Sequence, residues 1–250
     1  TQERSLGLGA MGWHSLLHQK RIPFDSFEAR ELNHRVFKYI KKEAVKESNT
    51  MGFERGEAPD MQGTGRRNAH LLAIAPNANS SIIVSTSPSI EPSKANAYTH
   101  RTRAGSHLVK NKYLEEELIK VDRNTQDVWS SIITNGGSVQ HLDFLSQKVK
   151  DVFKTAIELD QLVLVEQGAD RQEYLCQGQS LNLFFPAGAE KKDLHRAHFA
   201  AWKLGTKGLY YLRTETSQRA ENVAQKVTRD ALRDFETQAM SQDECVACQG

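Results

Sequence analysis

The chain has 250 residues and a formal net charge of +2, from 33 basic and 31 acidic side chains. This near balance argues against a polyanionic partner such as a nucleic acid. Hydrophobic residues make up 38% and charged residues 26% of the chain, which is typical of a soluble globular protein with a sizeable core. No apolar run approaches the roughly 18 residues of a membrane helix, and no signal peptide is visible. Three cysteines without a framework spacing indicate a reducing compartment, so we expect a cytoplasmic protein.

Glycines are frequent at the start of the chain. Residues 5–12 read SLGLGAMG and match the Gly-x-Gly-x-x-Gly spacing of dinucleotide-binding proteins. That fingerprint follows a buried strand, whereas six mostly polar residues precede Gly7. We therefore do not predict a bound dinucleotide at this segment.

Two helices follow the glycines. A short one is predicted from Gly12 to Gln19, and a long one begins at a capping box of Asp25 and Glu28 and runs to about Ser48. Residues 50–68 are rich in glycine and polar side chains and are predicted to form a loop. The apolar face of the long helix is predicted to carry Phe27, Leu32, Val36, Phe37, Ile40, Ala44 and Val45.

The middle of the chain alternates polar excursions with helical patterns. Residues 93–112 are polar and basic and are consistent with a hairpin. Helices are then predicted over 113–121, from about Thr125 to the break at Asn135, and over 143–167.

Short apolar strands are predicted at 71–75, 181–185 and 208–212. A helix over 190–204 separates the last two, and its inward face is predicted to carry Leu194, His198, Phe199 and Trp202. Strands separated by helices indicate a parallel α/β architecture.

Polar residues follow the first of these strands, in the loop Pro76–Ser81. The order of strand, polar loop and first helical turn places unpaired N–H groups where a phosphate could bind. The same local chemistry is equally that of an ordinary capped helix start.

Two other motifs carry candidate chemistry. Tyr210 and Tyr211 are adjacent on a predicted strand, so we expect their side chains on opposite faces, either in the core or hydrogen-bonded. Cys245 and Cys248 form a Cys-x-x-Cys pair two residues from the end, and zinc would need two further ligands. A dithiol there suits thiol–disulfide exchange, whereas Cys176 is predicted to be a packing residue.

Together, three motifs resemble the large, catalytic subunit of class I ribonucleotide reductase. They are PNANSSIIVSTSPSIEP at 76–92, GLYYLR at 208–213 and CVAC at 245–248. The resemblance runs from Arg4 onward and corresponds to the C-terminal part of that subunit. It implies an α/β fold in which residues 1–212 supply the last strands and helices of a ten-stranded α/β barrel, incomplete alone. Residues 213–250 would form a mobile tail that carries the last two cysteines.

The resemblance also implies roles for individual residues. Tyr211 and Tyr210 would relay a radical towards an active-site cysteine, and Cys245 and Cys248 would re-reduce the disulfide left by each turnover. The radical cysteine itself lies upstream in the family and is not in this chain. The opening glycines would allow close packing of the backbone. The loop that holds the substrate diphosphate would be Pro76, Asn77, Ala78, Asn79, Ser80 and Ser81, with Asn79 departing from the hydroxyl residues common in the family.

The reaction implied is radical-based replacement of the 2′-hydroxyl of a ribonucleoside diphosphate by hydrogen. We expect no metal or cofactor on this chain, and a radical metal centre in the small (beta) subunit. Further expected partners are the N-terminal part of the large subunit, if the protein is split, and thioredoxin or glutaredoxin. A start at Thr1 suggests a processed product or a fragment, inactive alone. Two alternatives stay open: an inactive remnant that binds nucleotide or the small subunit, and an unrelated α/β oxidoreductase that uses the terminal dithiol.

Overall fold

The computed structural model describes residues 2–102 and 105–214. A single 3-10 turn, Pro59–Met61, accompanies the helices of this part of the chain. The helices are α1 (Trp13–Lys20), α2 (Phe27–Arg55), α3 (Ala78–Ile83), α4 (Lys112–Lys120), α5 (Gln126–Thr134), α6 (Gln147–Val152), α7 (Gln161–Gln172) and α8 (Lys191–Lys203). The strands are β1 (Ala97–Thr102), β2 (Gly105–Lys110), β3 (Leu183–Phe185) and β4 (Leu212–Thr214).

Parallel backbone pairing organises the described fold. Segment 6–8 pairs with segment 70–74 through a parallel bridge between Leu8 and Leu72, and Ile74 forms the next parallel bridge with Gln179. Gln179 belongs to a third segment, 177–185, whose strand β3 pairs in parallel with β4. Helices connect the consecutive segments, so the predicted parallel α/β architecture is confirmed, although the described residues contain more helix than strand.

Cys176 takes part in this pairing through its side chain. The backbone N–H groups of Leu71 and Leu72 both point to its Sγ atom at 3.0 Å. The thiol therefore accepts hydrogen bonds at a position where the carbonyl of a neighbouring strand would normally accept them. Segment 70–74 accordingly forms isolated bridges and not a regular strand. Because Cys176 also packs against the main core, its predicted role as a packing residue is confirmed.

Two of the opening glycines are required by close backbone approach. A Cβ atom added to Gly9 would collide with the carbonyl oxygen of Ala73 on the neighbouring segment. Gly12 has φ +82° and would place a Cβ atom 2.5 Å from the Thr86 hydroxyl. The expected packing role of these glycines is confirmed.

Helix α2 begins one residue later than its predicted capping box. Ser26, and not Asp25, is the N-cap, and its hydroxyl accepts from the backbone N–H of Ala29. Asp25 instead forms an ion pair with Lys154 at 2.9 Å. Phe27 thereby becomes the first helical residue and is 78% exposed, so its predicted inward position is wrong.

The same helix also continues to Arg55, so the prediction of an end near Ser48 and a loop from residue 50 is wrong. Ser48 is buried and exchanges hydrogen bonds with Asn68. One turn further on, Gly52 lies against the backbone of Gly65. These contacts with the returning chain stabilise the last turns despite their polar sequence.

The predicted single helix over 143–167 is wrong, because two shorter helices, α6 and α7, occupy that region. Between them the backbone bonds to another segment: the Phe153 carbonyl accepts from the Asn96 amide, and the Ala156 N–H donates to Ser93. Asp160 then caps α7 through the N–H of Leu162. Periodicity alone does not reveal this interruption.

Helix α8 turns its small residues inward. Ala197 and Ala201 are buried against α7 and β3, and Leu194 packs beside them as predicted. Phe199 and Trp202 are 50% and 74% exposed, so their predicted inward positions are wrong. His198, also predicted inward, is exposed as well. Alanines allow closer helix packing than aromatic rings do, so the aromatic side is the one left outside.

A second core lies beneath the antiparallel hairpin β1–β2, whose presence confirms the hairpin expected over 93–112. It is formed by side chains of α4, α5 and α6 around Trp129 and Phe153. None of the helices in the described part of the chain is long and apolar enough to cross a bilayer.

Two histidines are buried side by side at the junction of the two cores. The rings of His14 and His18 lie 3.8 Å apart, and His14 Nδ1 accepts from the N–H of Ser93. Burial lowers the pKa of His14 well below its usual value, and the charge of His18 adds to the effect. Burial, together with the charge of Arg21, lowers the pKa of His18 to about 3.

We expect the Gly9→Ala variant to be destabilised by roughly 1–3 kcal/mol, since the new methyl group overpacks the contact with Ala73. Gly7→Ala is the matched control, because its Cβ atom would meet Ala73 Cβ at an ordinary 3.5 Å. Denaturant unfolding of the two variants measures the difference. Equal stability would contradict the close approach of the two backbones.

We also expect the chain to lose stability as the pH falls below 6.5. The unfolded histidines bind protons there that His14 and His18 resist in the folded state, because their folded pKa values are depressed. For His18 the loss at pH 5 is about 2 kcal/mol, and His14 adds a loss of the same sign.

Unfolding free energies measured between pH 7.5 and pH 5 test this dependence. Replacing both histidines by glutamine should remove most of the slope, whereas His198→Gln, at an exposed position, should leave it unchanged. A slope that survives in the double variant would contradict the assignment to this pair.

Candidate functional site

The polar loop after segment 70–74 leads directly into α3, as predicted. Asn77 is at the N-cap position, but its Oδ1 atom accepts from the backbone N–H of Ser89 at 2.7 Å and does not cap the helix. Ser81 is buried, and its hydroxyl donates to the Ala78 carbonyl at 2.6 Å. Asn79 and its neighbour Ser80 are exposed. The first N–H groups of a helix have no partner within it, so this loop presents donors to an incoming anion.

The chain that follows α3, residues 84–89, is hydrogen-bonded to the start of α1. Ser15 and Ser87 exchange hydrogen bonds, each hydroxyl accepting from the other's backbone N–H at 3.0 and 2.8 Å. The N–H of Gly12 donates to the Ser87 carbonyl. Ser85 and Ser89 adopt positive φ angles of 54° and 48°, which lets the chain turn back over a short distance. The loop is therefore held at both ends by backbone contacts.

A buried carboxylate follows the loop. Glu91 is 6% exposed, and its Oε1 atom accepts from the backbone N–H of Asn182 at 2.9 Å. Burial raises the pKa of Glu91, against the opposing effects of the hydrogen bonds from Asn182 and the charges of Lys94 and Arg213. Glu91 and Asn182 are not among the predicted site residues. The available signal is a lone carboxylate between the apolar residues Ile90 and Pro92.

Tyr210 and Tyr211 lie immediately before β4 and are 46% and 51% exposed. Their ring centroids are 4.1 Å apart with an interplanar angle of 53°. The expectation that they point to opposite faces is therefore wrong, because the pair precedes the regular strand. A hydrogen bond with Tyr211 raises the pKa of the Tyr210 phenol. The two phenols are close enough to exchange a proton and an electron.

One segment, 177–185, links the loop and the tyrosines through its parallel pairing. Ile74, two residues before the loop, is opposite Gln179. Leu183 is opposite Leu212, which brings Asn182 level with Tyr211. The N–H of Tyr211 donates to Asn182 Oδ1 at 2.9 Å. Segment 177–185 therefore lies between the segment that leads into the phosphate-loop candidate and the strand that follows the tyrosine pair.

Cys176 lies beside segment 70–74, and the predicted redox pair, Cys245 and Cys248, lies outside the described residues. Within 2–102 and 105–214, no group of three or more histidine, cysteine and acidic side chains could hold a metal ion. The chemistry brought together by the described residues is therefore that of helix N–H donors, phenols and one buried carboxylate.

Comparison with known proteins agrees with this geometry. The family profile of the ribonucleotide reductase barrel domain matches residues 1–65 and 59–212. A frog virus 3 (isolate Goorha) protein named as a ribonucleoside-diphosphate reductase large subunit is 51% identical over 250 residues, covering 99% of this chain and 42% of the relative. The large subunit of invertebrate iridescent virus 6 is 45% identical over 229 residues, covering 89% of this chain and 24% of the relative.

A solved structure gives the same result. The class Id ribonucleotide reductase alpha subunit of Actinobacillus ureae superposes with a TM-score of 0.81 at 40% identity, covering 88% of this chain and 41% of that one. The parallel segments and their connecting helices are thus part of an α/β barrel. The chain belongs to the ribonucleotide reductase barrel-domain family. It spans less than half the length of these relatives.

Proposed function

We propose that this chain acts as the C-terminal part of the large subunit of ribonucleoside-diphosphate reductase. The observation that carries the proposal is that segment 177–185 pairs in parallel both with segment 70–74, which leads into the 76–81 loop, and with β4, which follows the tyrosine pair. Membership of the reductase family supports it. The reaction is the radical-based reduction of a ribonucleoside diphosphate to the deoxyribonucleoside diphosphate.

In this proposal the diphosphate binds at the start of α3. The amides of Ala78, Asn79 and Ser80 are at the helix N-terminus, where the dipole and unpaired N–H groups favour an anion. Asn79 contributes an exposed amide side chain in place of a hydroxyl, and an amide can donate as well. Asn77 Oδ1 accepts from the Ser89 N–H and so holds the start of the loop in place.

The tyrosine pair carries the radical step. Tyr211 and Tyr210 would pass an electron and a proton in sequence, and the 4.1 Å separation of their rings supports such a transfer. The radical reaches the pair from the metal centre of the small subunit, which supplies one-electron oxidation. The receiving cysteine belongs to the N-terminal part of the large subunit, so this chain should be inactive alone.

The terminal dithiol completes the cycle. Cys245 and Cys248 would reduce the disulfide formed at the active site and then be reduced by thioredoxin or glutaredoxin. In each exchange a thiolate attacks one sulfur of the disulfide, and the other sulfur leaves as a thiolate that takes up a proton from solvent. The second cysteine of the pair then attacks the resulting mixed disulfide and releases the other thiolate. Such thiol chemistry fits a reducing, cytoplasmic setting.

The test is reconstitution of the 250-residue chain with a matching N-terminal part, the small subunit and a dithiol reductant. Deoxynucleotide formation from a ribonucleoside diphosphate is the readout. Tyr211→Phe and Tyr210→Phe should each lower the rate at least about 100-fold, or about 2.7 kcal/mol in the barrier, because phenylalanine has no oxidisable hydroxyl.

Tyr39→Phe is the matched control, since Tyr39 is 65% exposed on α2 and should tolerate the change. A complex that assembles but makes no deoxynucleotide would favour the alternative of a binding remnant. A complex that stays active with both tyrosines replaced would contradict the radical role of the pair.

A further inference from the structure

Glu91 is a buried carboxylate that takes no part in the proposed diphosphate binding or radical transfer. It is 6% exposed and comes ten residues after Ser81, at the far end of the loop that returns from α3. Burying an ionised carboxylate costs free energy unless hydrogen bonds and opposite charges compensate it. The pKa of Glu91 is raised, because the effect of burial outweighs the hydrogen bonds from Asn182 and the charges of Lys94 and Arg213. The compensation is therefore incomplete.

The first connection from Glu91 runs through Asn182 to the backbone of Tyr211. Glu91 accepts from the N–H of Asn182 at 2.9 Å, and the Asn182 side chain also bonds to this carboxylate. With its amide nitrogen directed to Glu91, Asn182 presents Oδ1 to the N–H of Tyr211, again at 2.9 Å. The carboxylate therefore selects which end of the Asn182 amide faces the tyrosine.

The second connection runs through Arg213 to the ring of Tyr211. The Arg213 guanidinium lies 4.7 Å from the centre of that ring, within the range of a cation–π contact. Arg213 is also one of the two cations that act electrostatically on Glu91. A negative charge at Glu91 thus favours the position of the cation above the phenol.

We propose that Glu91 is a positioning residue for Tyr211, acting on its backbone through Asn182 and on its ring through Arg213. This inference rests on the proposed radical role of the tyrosine pair. The carboxylate belongs to the segment that continues from the substrate loop, so it ties the position of Tyr211 to that loop. Electron and proton transfer between phenols depends steeply on geometry, so a small displacement of Tyr211 slows the reaction.

The decisive variant is Glu91→Gln, which keeps the shape and one acceptor but removes the charge and the fixed direction of the Asn182 amide. Asn182→Ala is the second variant and removes the acceptor for Tyr211 directly. Glu158→Gln is the matched control, because Glu158 is also a partly buried carboxylate that accepts a backbone N–H, that of Thr155 at 2.7 Å. Glu158 lies beside the second core, the one beneath the hairpin β1–β2, and not beside Tyr210 and Tyr211.

Two measurements are made on each variant. Residue-resolved amide hydrogen exchange on the full chain reports the hydrogen bond of Tyr211, and steady-state kinetics on the reconstituted complex report kcat and KM. We expect Glu91→Gln and Asn182→Ala to speed exchange at Tyr211 selectively. We expect both to lower kcat by roughly tenfold or more with an unchanged KM for the nucleoside diphosphate.

Several outcomes would overturn the proposal. Wild-type exchange at Tyr211 in both variants would do so, as would faster exchange spread evenly over the whole sheet, which indicates general destabilisation. A raised KM with unchanged kcat would assign Glu91 to the substrate loop instead. If the wild-type complex makes no deoxynucleotide, the proposed function fails. The exchange experiment remains decisive in that case: selectively faster exchange at Tyr211 in the two variants supports the positioning contacts, and unchanged exchange rejects them.

Discussion

The register of Ile74 against the segment 177–180 is the constraint on which the site depends. Its N–H donates to the Gly178 carbonyl at 3.1 Å, and its carbonyl accepts from Ser180 at 2.8 Å. In a parallel pair these two bonds fix the relative height of both segments. A slip of one residue would turn every following side chain to the other face of the sheet, including Asn182. The hydrogen bond from the Tyr211 N–H to Asn182 Oδ1 would then be lost.

Two residues, Gly9 and Cys176, make that register possible. Gly9 lets segment 6–8 approach the Ala73 carbonyl, and Cys176 accepts two backbone N–H groups from segment 70–74. Glycine lacks a side chain and cysteine has a reactive thiol, but Gly9 and Cys176 both serve packing here. The predicted site residues lie outside the regular pairing, in the loop before α3 and just before β4. Positions within the sheet therefore serve geometry, and the candidate chemistry lies beyond them.

Local sequence signals predicted much of this fold, and long-range contacts decided the rest. Polar caps and apolar periodicity were sufficient for α1, α4 and α5, and the change from apolar to polar residues at Pro76 marked the loop. The end of α2 depended on contacts with Asn68 and Gly65, and the break before α7 depended on Asn96, all far away in sequence. The family resemblance predicts a site role for the tyrosines, but the link from Glu91 to Asn182 spans 91 residues and has no local pattern.

The claim that the loop after Ala75 binds the substrate diphosphate is tested most directly by amide hydrogen exchange in the assembled complex. A ribonucleoside diphosphate should slow exchange at residues 78–80, whose N–H groups lie at the start of α3. The corresponding nucleoside without phosphates, at equal concentration, should leave these amides unchanged. Protection that is absent with the diphosphate, or equal with the nucleoside, would contradict the assignment of this loop.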